Sequence, residues 1–187
     1  MIGLDLSLTG TGIATNYGTA TIHSKARGME RLAHIRDQVL SVLIPDVEHL
    51  FVIEGYSMGT ARQSSHAHGL GELGGVIRLA LWEAGVGYLD CPPACLKRYA
   101  CGRGNAPKEE VLIAAVKRGA DVRDNNQADA FFLRAMGLDA MGAPVVDMPQ
   151  AHRAGLKSIE WSTPVICTRG SIKPGTPRNP KEAAHGG

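Results

Sequence analysis

The sequence predicts an α/β fold in which helices flank a mixed five-stranded sheet. At the N-terminus, Ile2, Leu4 and Leu6 alternate with glycine or polar residues, which is the period of a half-buried strand. The short apolar run 51–53 lacks this alternation, as expected for a central strand that is covered on both faces. Between and after these stretches, apolar residues recur at helical spacing. The fold class follows from strands that come first in the chain and later alternate with helices.

The composition fits one packed domain followed by a tail. The chain has 187 residues, of which 44% are hydrophobic, so it holds enough apolar side chains for a core. The formal net charge is only +2, and any nucleic-acid-binding surface must therefore be local. No apolar run approaches the roughly 20 residues of a membrane span, and the N-terminus has no signal-type segment, so we expect a cytoplasmic protein.

Four cysteines are expected to be reduced thiols in such a protein: Cys91, Cys95, Cys101 and Cys167. The first three are close enough in sequence to suggest zinc, but their spacing matches no paired zinc-binding pattern. Small buried thiols are the favoured interpretation.

Five strands are predicted from local patterns. The first three form an antiparallel meander, because residues 9–12 and 16–18 are short stretches of turn-forming residues. The fourth and fifth strands each follow a helix. The predicted strands are 2–6, 13–15, 19–23, 51–53 and 86–89.

The helices are predicted from apolar residues at helical spacing and from residues that begin or end helices. Pro45 and Gly85 end the first two helices, and Pro107 is a natural first residue of the fourth. The polar, glycine-containing stretch 56–71 is predicted to be a surface loop. The predicted helices are 29–43, 72–84, a short one around 96–98, 107–118 and a last one that begins near Asn126.

The strand and helix patterns fade beyond Gly142, which predicts a domain over 1–142 and a C-terminal extension over 143–187. The extension is rich in proline and glycine, and from residue 151 onwards it holds six Lys or Arg against two acids. Such a composition is typical of a basic segment that is partly disordered.

Three acidic residues are candidates for a metal site. Asp5 interrupts an apolar strand, where a carboxylate is costly unless a partner compensates its charge. Glu54 ends an apolar strand, at the position where ligands gather in α/β sheets, and Asp129 lies in the first turn of the last helix. Mg²⁺ and Mn²⁺ prefer such oxygen ligands. Taken singly, Asp5 also fits an ordinary hairpin position, and Glu54 a strand-end acid that faces water.

Five stretches carry a resemblance to a known family. They are residues 5–12, Glu54 after its apolar strand, 71–77, 96–98 together with 102–111, and 124–130. Over about residues 1–142, their order and intervals resemble those of the RuvC-type Holliday junction resolvases of the ribonuclease H-like superfamily, most closely the small phage-encoded branch. The resemblance implies a ribonuclease H-like fold. It also implies a metal-dependent, structure-selective DNA endonuclease that resolves four-way junctions, with other branched DNA as further candidate substrates.

The resemblance further implies roles for particular residues. Asp5, Glu54 and Asp129 would hold two Mg²⁺ or Mn²⁺ ions, with Asp5 shared between them. Lys108 would face the cleaved phosphate as a fourth catalytic residue. A homodimer in the cytoplasm of a bacterial or phage-infected cell is implied, because two symmetric nicks need two active sites. The predicted DNA-binding residues are Tyr56, Arg62, Lys97, Arg98, Arg103 and Lys108.

Asn126 departs from the family's pattern, which commonly has an acid or a histidine three residues before the last aspartate. The amide can ligate a metal without adding charge, or it can cap the last helix. Asp124 is a second candidate for the missing ligand. Two other predicted residues also have plain structural interpretations, Lys108 as a solvated first-turn lysine and Tyr56 as an aromatic that covers the core.

Two other functions fit parts of the sequence. The first turn loosely resembles the phosphate loop of actin-like and sugar-kinase phosphotransferases, although 187 residues leave no room for the second lobe that closes over ATP. A junction-binding protein without cleavage activity is suggested by Asn126. ATP binding and metal-dependent nicking separate the three functions.

Overall fold

The computed structural model describes residues 1–55 and 65–161 of the chain. Tyr56 and Arg62, two of the predicted DNA-binding residues, lie outside this part, as does Cys167. The strands are β1 Ile2–Asp5, β2 Thr11–Thr15, β3 Gly18–Ile22, β4 Leu50–Glu54 and β5 Gly87–Cys91. They form a single sheet in the order β3-β2-β1-β4-β5.

Both strand directions occur in this sheet. The pairs β1–β2 and β2–β3 are antiparallel, whereas β1–β4 and β4–β5 are parallel. The predicted meander and the mixed five-stranded sheet are therefore confirmed. The parallel pairing brings the carboxyl ends of β1 and β4 to the same edge of the sheet.

The helices of the described residues are α1 Gly28–Leu40, α2 Ser65–Glu83, α3 Pro93–Cys101, α4 Lys108–Lys117 and α5 Asn125–Ala140, with a short 3₁₀ helix at His152–Leu156. The predicted loop over 56–71 is wrong from residue 65 onwards, because α2 begins there. A Cβ on Gly69 would lie 2.8 Å from the Leu8 Cδ1, so this first part of α2 packs against the turn after β1. Tertiary packing outweighs its low helix propensity. None of the described helices has the length and apolar character needed to cross a membrane.

The helices cover both faces of the sheet. One apolar cluster joins Phe51 and Ile53 of β4 to α1 and α2, and a second joins Val52 to α3, α4 and α5. Successive residues of β4 thus point to opposite faces, and both faces are buried. The prediction of a central strand covered on both sides is confirmed.

Helix α5 lies unusually close to β1 and β2. A Cβ added to Gly3 would lie 1.9 Å from the main-chain oxygen of Ala130, and one added to Gly12 would lie 2.0 Å from that of Asn126. Since Asp5 is two residues beyond Gly3 and pairs with Gly12, it shares the face that α5 covers. The two glycines therefore set the height of α5 above Asp5.

The segment after α5 folds back onto α3. A Cβ on Gly155 in the 3₁₀ helix would lie 2.5 Å from the main-chain oxygen of Cys95. The buried carboxylate of Asp139 accepts a hydrogen bond from the Tyr99 hydroxyl at 3.0 Å and forms an ion pair with Arg153 at 3.1 Å. The start of the C-terminal extension therefore packs on the domain, while the division at residue 142 stays a prediction.

Gly3→Ala should lower the free energy of unfolding by about 1–3 kcal/mol, because the added methyl group overpacks the contact between β1 and α5. Urea denaturation measures this change. Gly75→Ala is the matched control, since Gly75 lies in α2 with open space where its Cβ would be. That control should raise the free energy of unfolding by up to about 1 kcal/mol. Equal changes in the two variants would contradict the close approach of α5.

Candidate metal centre

Three carboxylates from separate elements meet at one edge of the sheet. Asp5 is the last residue of β1, Glu54 is the last residue of the parallel neighbour β4, and Asp129 lies in the second turn of α5. One oxygen from each lies within 4.8 Å of the others. Among the described residues, no other group of three or more Asp, Glu, His or Cys side chains lies so close together. This group contains no cysteine. The predicted convergence of the three acids is confirmed.

The three carboxylates repel one another in a buried setting. Asp5 and Asp129 are 5% and 6% exposed, and Glu54 is partly buried. The pKa of Asp5 is raised well above its usual value, mainly by burial. The negative charges of Glu54 and Asp129 and a hydrogen bond with Glu54 raise it further. Burial and the charge of Glu54 raise the pKa of Asp129 to about 7. A hard divalent cation suits this set, because it needs oxygen ligands and offsets their repulsion.

Two lysines from other helices act on the same acids. The positive charge of Lys108, the first residue of α4, lowers the pKa of both Asp5 and Asp129. Lys97 of α3 also lowers the pKa of Asp129. The two positive charges therefore offset part of the repulsion among the acids.

Arg98 and Arg103, two of the predicted DNA-binding residues, are exposed at the surface. Arg103 is largely exposed and forms an ion pair with Glu110 of α4. Arg98 is an exposed residue in the last turn of α3. The structure thus brings Lys97 and Lys108 to the acids, while Arg98 and Arg103 lie on the surrounding surface.

Asp124, and not Asn126, caps α5. The Asp124 Oδ1 accepts a hydrogen bond from the main-chain N–H of Gln127 at 2.8 Å, and its Oδ2 accepts one from the Thr21 hydroxyl at 2.5 Å. The interpretation of Asn126 as the helix cap is therefore wrong. Asn126 lies one turn before Asp129, and a Cβ on Gly10 would lie 3.1 Å from its Nδ2. The Asn126 amide thus lies against the turn that follows Asp5, and its role as a metal ligand stays a prediction.

Two buried polar residues were not singled out from the sequence. Thr11 is fully buried, and its hydroxyl donates to the main-chain oxygen of Ser7 at 2.7 Å and accepts from the Ser7 N–H at 3.2 Å. These bonds fix the turn directly after Asp5. Gln127 is only 8% exposed and belongs to a hydrogen-bond network at the start of α5. The role of Thr11 is signalled by the alternation of Ser and Thr with glycine, because such side chains bond to nearby main chain. No local sequence pattern signals the role of Gln127.

In metal-free protein, the free energy of unfolding should fall as the pH rises from about 4 to about 7, because folded Asp129 holds its proton up to about pH 7. Asp129→Asn removes this loss, so at pH 8 the free energy of unfolding of the variant should be roughly 1–3 kcal/mol higher than that of the wild type. At pH 4.5 the two should differ little. Urea denaturation in EDTA at both pH values measures the effect, with Glu83→Gln as an exposed control. A difference that does not change with pH would count against the buried acid cluster.

Known proteins share this sequence and fold. No protein-family model matches the chain. It is 32% identical over 151 residues to the crossover junction endodeoxyribonuclease RuvC of Sorangium cellulosum. This match covers 75% of the present chain and 83% of the Sorangium protein. The Thermus thermophilus RuvC structure matches 80% of this chain and all of that one, with a TM-score of 0.55 and 24% identity. The structure of T. thermophilus RuvC in complex with Holliday junction substrate matches with a TM-score of 0.55 and 25% identity, over 80% of this chain and 99% of that one.

These matches agree with the mixed sheet flanked by helices, which is the ribonuclease H-like fold predicted from the order of strands and acids. The identity to the Sorangium protein extends over three quarters of the chain, and this length is more than a shared motif can explain. The chain belongs to the RuvC family of crossover junction endodeoxyribonucleases.

Proposed function

We propose that the chain is a metal-dependent, structure-selective DNA endonuclease that resolves Holliday junctions by phosphodiester hydrolysis. The observation that carries this proposal is the convergence of Asp5, Glu54 and Asp129 at the carboxyl edge of the sheet. The family adds the reaction class, since the Sorangium relative is named a crossover junction endodeoxyribonuclease and the T. thermophilus protein has been solved with Holliday junction substrate. Other branched DNA molecules are further candidate substrates.

We propose Mg²⁺ or Mn²⁺ as the cofactor, with two ions per site. A pair of such ions supplies an activated water and stabilises the charge of the attacking and leaving oxygens in phosphodiester hydrolysis. Asp5 is the proposed shared ligand, because β1 lies at the centre of the sheet and its carboxylate contacts that of Glu54. Glu54 and Asp129 would each serve one ion.

Lys108 is the proposed fourth catalytic residue. Its charge already acts on Asp5 and Asp129 in the free protein, so a phosphate held above these acids would lie within its reach. There the ammonium group would stabilise the negative charge that grows on the phosphate oxygens during cleavage. Lys97 would hold the same or the adjacent phosphate.

The proposed DNA-binding surface surrounds the acids and is local. Lys97 and Lys108 form its inner part, and Arg98 and Arg103 its outer part, where contacts to phosphates would position the DNA. The small net charge of +2 agrees with a confined surface. Tyr56, at the branch point, and Arg62 remain proposed DNA contacts, and both lie outside the described residues.

We propose that the enzyme acts as a homodimer. Each chain has one acid cluster among its described residues, and two symmetric nicks require two such sites related by a two-fold axis. Placement in the small phage-encoded branch, and action in the cytoplasm of a bacterial or phage-infected cell, are further proposals that rest on the motif intervals and on the DNA substrate.

The alternative functions predict different results. A phosphotransferase would bind ATP, and a non-cleaving protein would bind a junction without nicking it. Incubation of the protein with a synthetic four-way junction, beside a linear duplex of the same sequence, tests the proposal directly. Nicking of the junction alone, in the presence of Mg²⁺ or Mn²⁺, is the expected result.

Asp5→Asn, Glu54→Gln and Asp129→Asn should each lower the cleavage rate by at least about a hundredfold while junction binding persists. Cleavage depends on the bound ions, whereas binding depends on many phosphate contacts. Gel-shift and single-turnover cleavage assays measure the two properties separately. Glu83→Gln makes the same chemical change at an exposed position of α2 and should cleave normally. Cleavage at the wild-type rate by Asp129→Asn would show that Asp129 is not a metal ligand.

Asn126→Asp should lower the Mg²⁺ concentration needed for half-maximal cleavage, because a carboxylate one turn before Asp129 adds charge to the ion site. Asn126→Ala should raise that concentration if the amide is a ligand. Since Asp124 caps the helix, neither change removes a cap. Identical Mg²⁺ titration curves for the wild type and both variants would exclude Asn126 as a ligand.

A further inference from the structure

The edge strand β3 is tied to the start of α5 by side chains. The Thr21 hydroxyl donates to the Asp124 Oδ2 at 2.5 Å, and the Gln127 Nε2 donates to the Thr21 Oγ1 at 3.0 Å. The Thr19 hydroxyl donates to the main-chain oxygen of Asp121, just before the helix, at 2.8 Å. Among the described residues β3 has one neighbour in the sheet, β2, and Thr19 and Thr21, two residues apart, lie on the same face of the strand.

Gln127 is at the centre of this network. Its side chain is buried, with its residue only 8% exposed. The Oε1 accepts from the main-chain N–H of Arg123 at 3.0 Å, and the main-chain N–H of Gln127 donates to Asp124 Oδ1 at 2.8 Å. Together with the bond to Thr21, these contacts satisfy both ends of the amide. A buried amide with all its partners holds one orientation, because any other leaves polar groups unpaired.

This network fixes the part of α5 that carries Asp129. Asp129 follows Gln127 by two residues, so any tilt or shift of the first turn moves the carboxylate. On the sheet, Gly12 has no side chain, so the main-chain oxygen of Asn126 can approach it closely. A Cβ on Gly12 would lie only 2.0 Å from that oxygen. The glycine sets how close the helix lies, and the network with β3 sets its rotation and its position across the sheet.

We propose that Gln127, Thr21 and Asp124 form a positioning element that sets the metal affinity of the acid cluster by orienting Asp129. The proposal rests on the proposed function, in that it takes the cluster to be the metal site of the nuclease. It also assigns Asp124 to this element and not to the ligand set, because both of its oxygens are engaged by Gln127 and Thr21. In this proposal the three residues act through Asp129 and are not themselves metal ligands.

The test is Mn²⁺ binding to DNA-free protein by isothermal titration calorimetry, together with kcat and KM for junction cleavage at saturating Mn²⁺. Thr21→Val keeps the shape of the side chain but removes its hydroxyl. It should raise the Mn²⁺ dissociation constant about tenfold, as losses of support around metal ligands typically do. Thr21→Ser restores the hydroxyl and should restore the affinity. KM for the junction should stay unchanged.

Asn16→Ala is the matched control. Asn16 lies in the turn between β2 and β3, and its side-chain oxygen accepts a hydrogen bond from Arg134 of α5 at 2.8 Å. The variant therefore removes a bond between the same two parts of the fold, but farther along the helix from Asp129. Its Mn²⁺ dissociation constant should stay within about twofold of the wild type, a change far smaller than that expected for lost metal-site support.

Circular dichroism first shows whether each variant folds. If Thr21→Val does not fold, Asp124→Asn takes its place, since its oxygen can still cap α5 while its amide cannot accept from Thr21. Wild-type Mn²⁺ affinity in the folded variant, or no rescue by Thr21→Ser, would overturn the proposal. A wild-type protein that binds Mn²⁺ but leaves junctions intact would overturn the proposed function alone, because the affinity of the variants would still report on positioning.

Discussion

The close contact between α5 and the strands β1 and β2 is the constraint on which the site depends. Gly3 and Gly12 provide no side chain where Ala130 and Asn126 of the helix approach, so the helix main chain rests almost directly on the sheet. A larger residue at either position would lift the helix. Because Asp5 comes from the sheet and Asp129 from the helix, the close approach of the two main chains sets how near these carboxylates can lie.

Local patterns in the sequence predicted the sheet and placed Asp5 and Glu54 on strands, whereas the resemblance to the RuvC-type resolvases grouped these acids with Asp129. Alternating apolar residues reveal a strand, and Asp5 and Glu54 stand at strand ends. The early start of α2 was not predictable in this way, since it depends on the contact between Gly69 and Leu8. The cap of α5 was misassigned for a related reason. Both Asp124 and Asn126 are good capping residues by type, and only the position of Thr21 on a distant strand decides between them.

Charge in the site is balanced by residues from different layers. The acids come from the sheet and from α5, while the lysines that lower their pKa values come from α3 and α4. Burial and mutual repulsion make the ionised acids unfavourable in the metal-free fold, and a cation at the proposed site would relieve this repulsion. The stability of the metal-free protein and the proposed metal affinity are therefore opposed, as is common where a fold holds like charges together.

The ion pair between Arg153 and Asp139 has a consequence for how this protein can be shortened. Asp139 lies near the end of α5 and also accepts a bond from Tyr99 of α3, the helix that carries Lys97. A chain cut at residue 142 would lose Arg153 and the 3₁₀ helix, which would leave the Asp139 carboxylate without its cation and uncover one side of α3. Fragments prepared for crystallisation or fusion should therefore retain the segment through Trp161, which keeps these contacts.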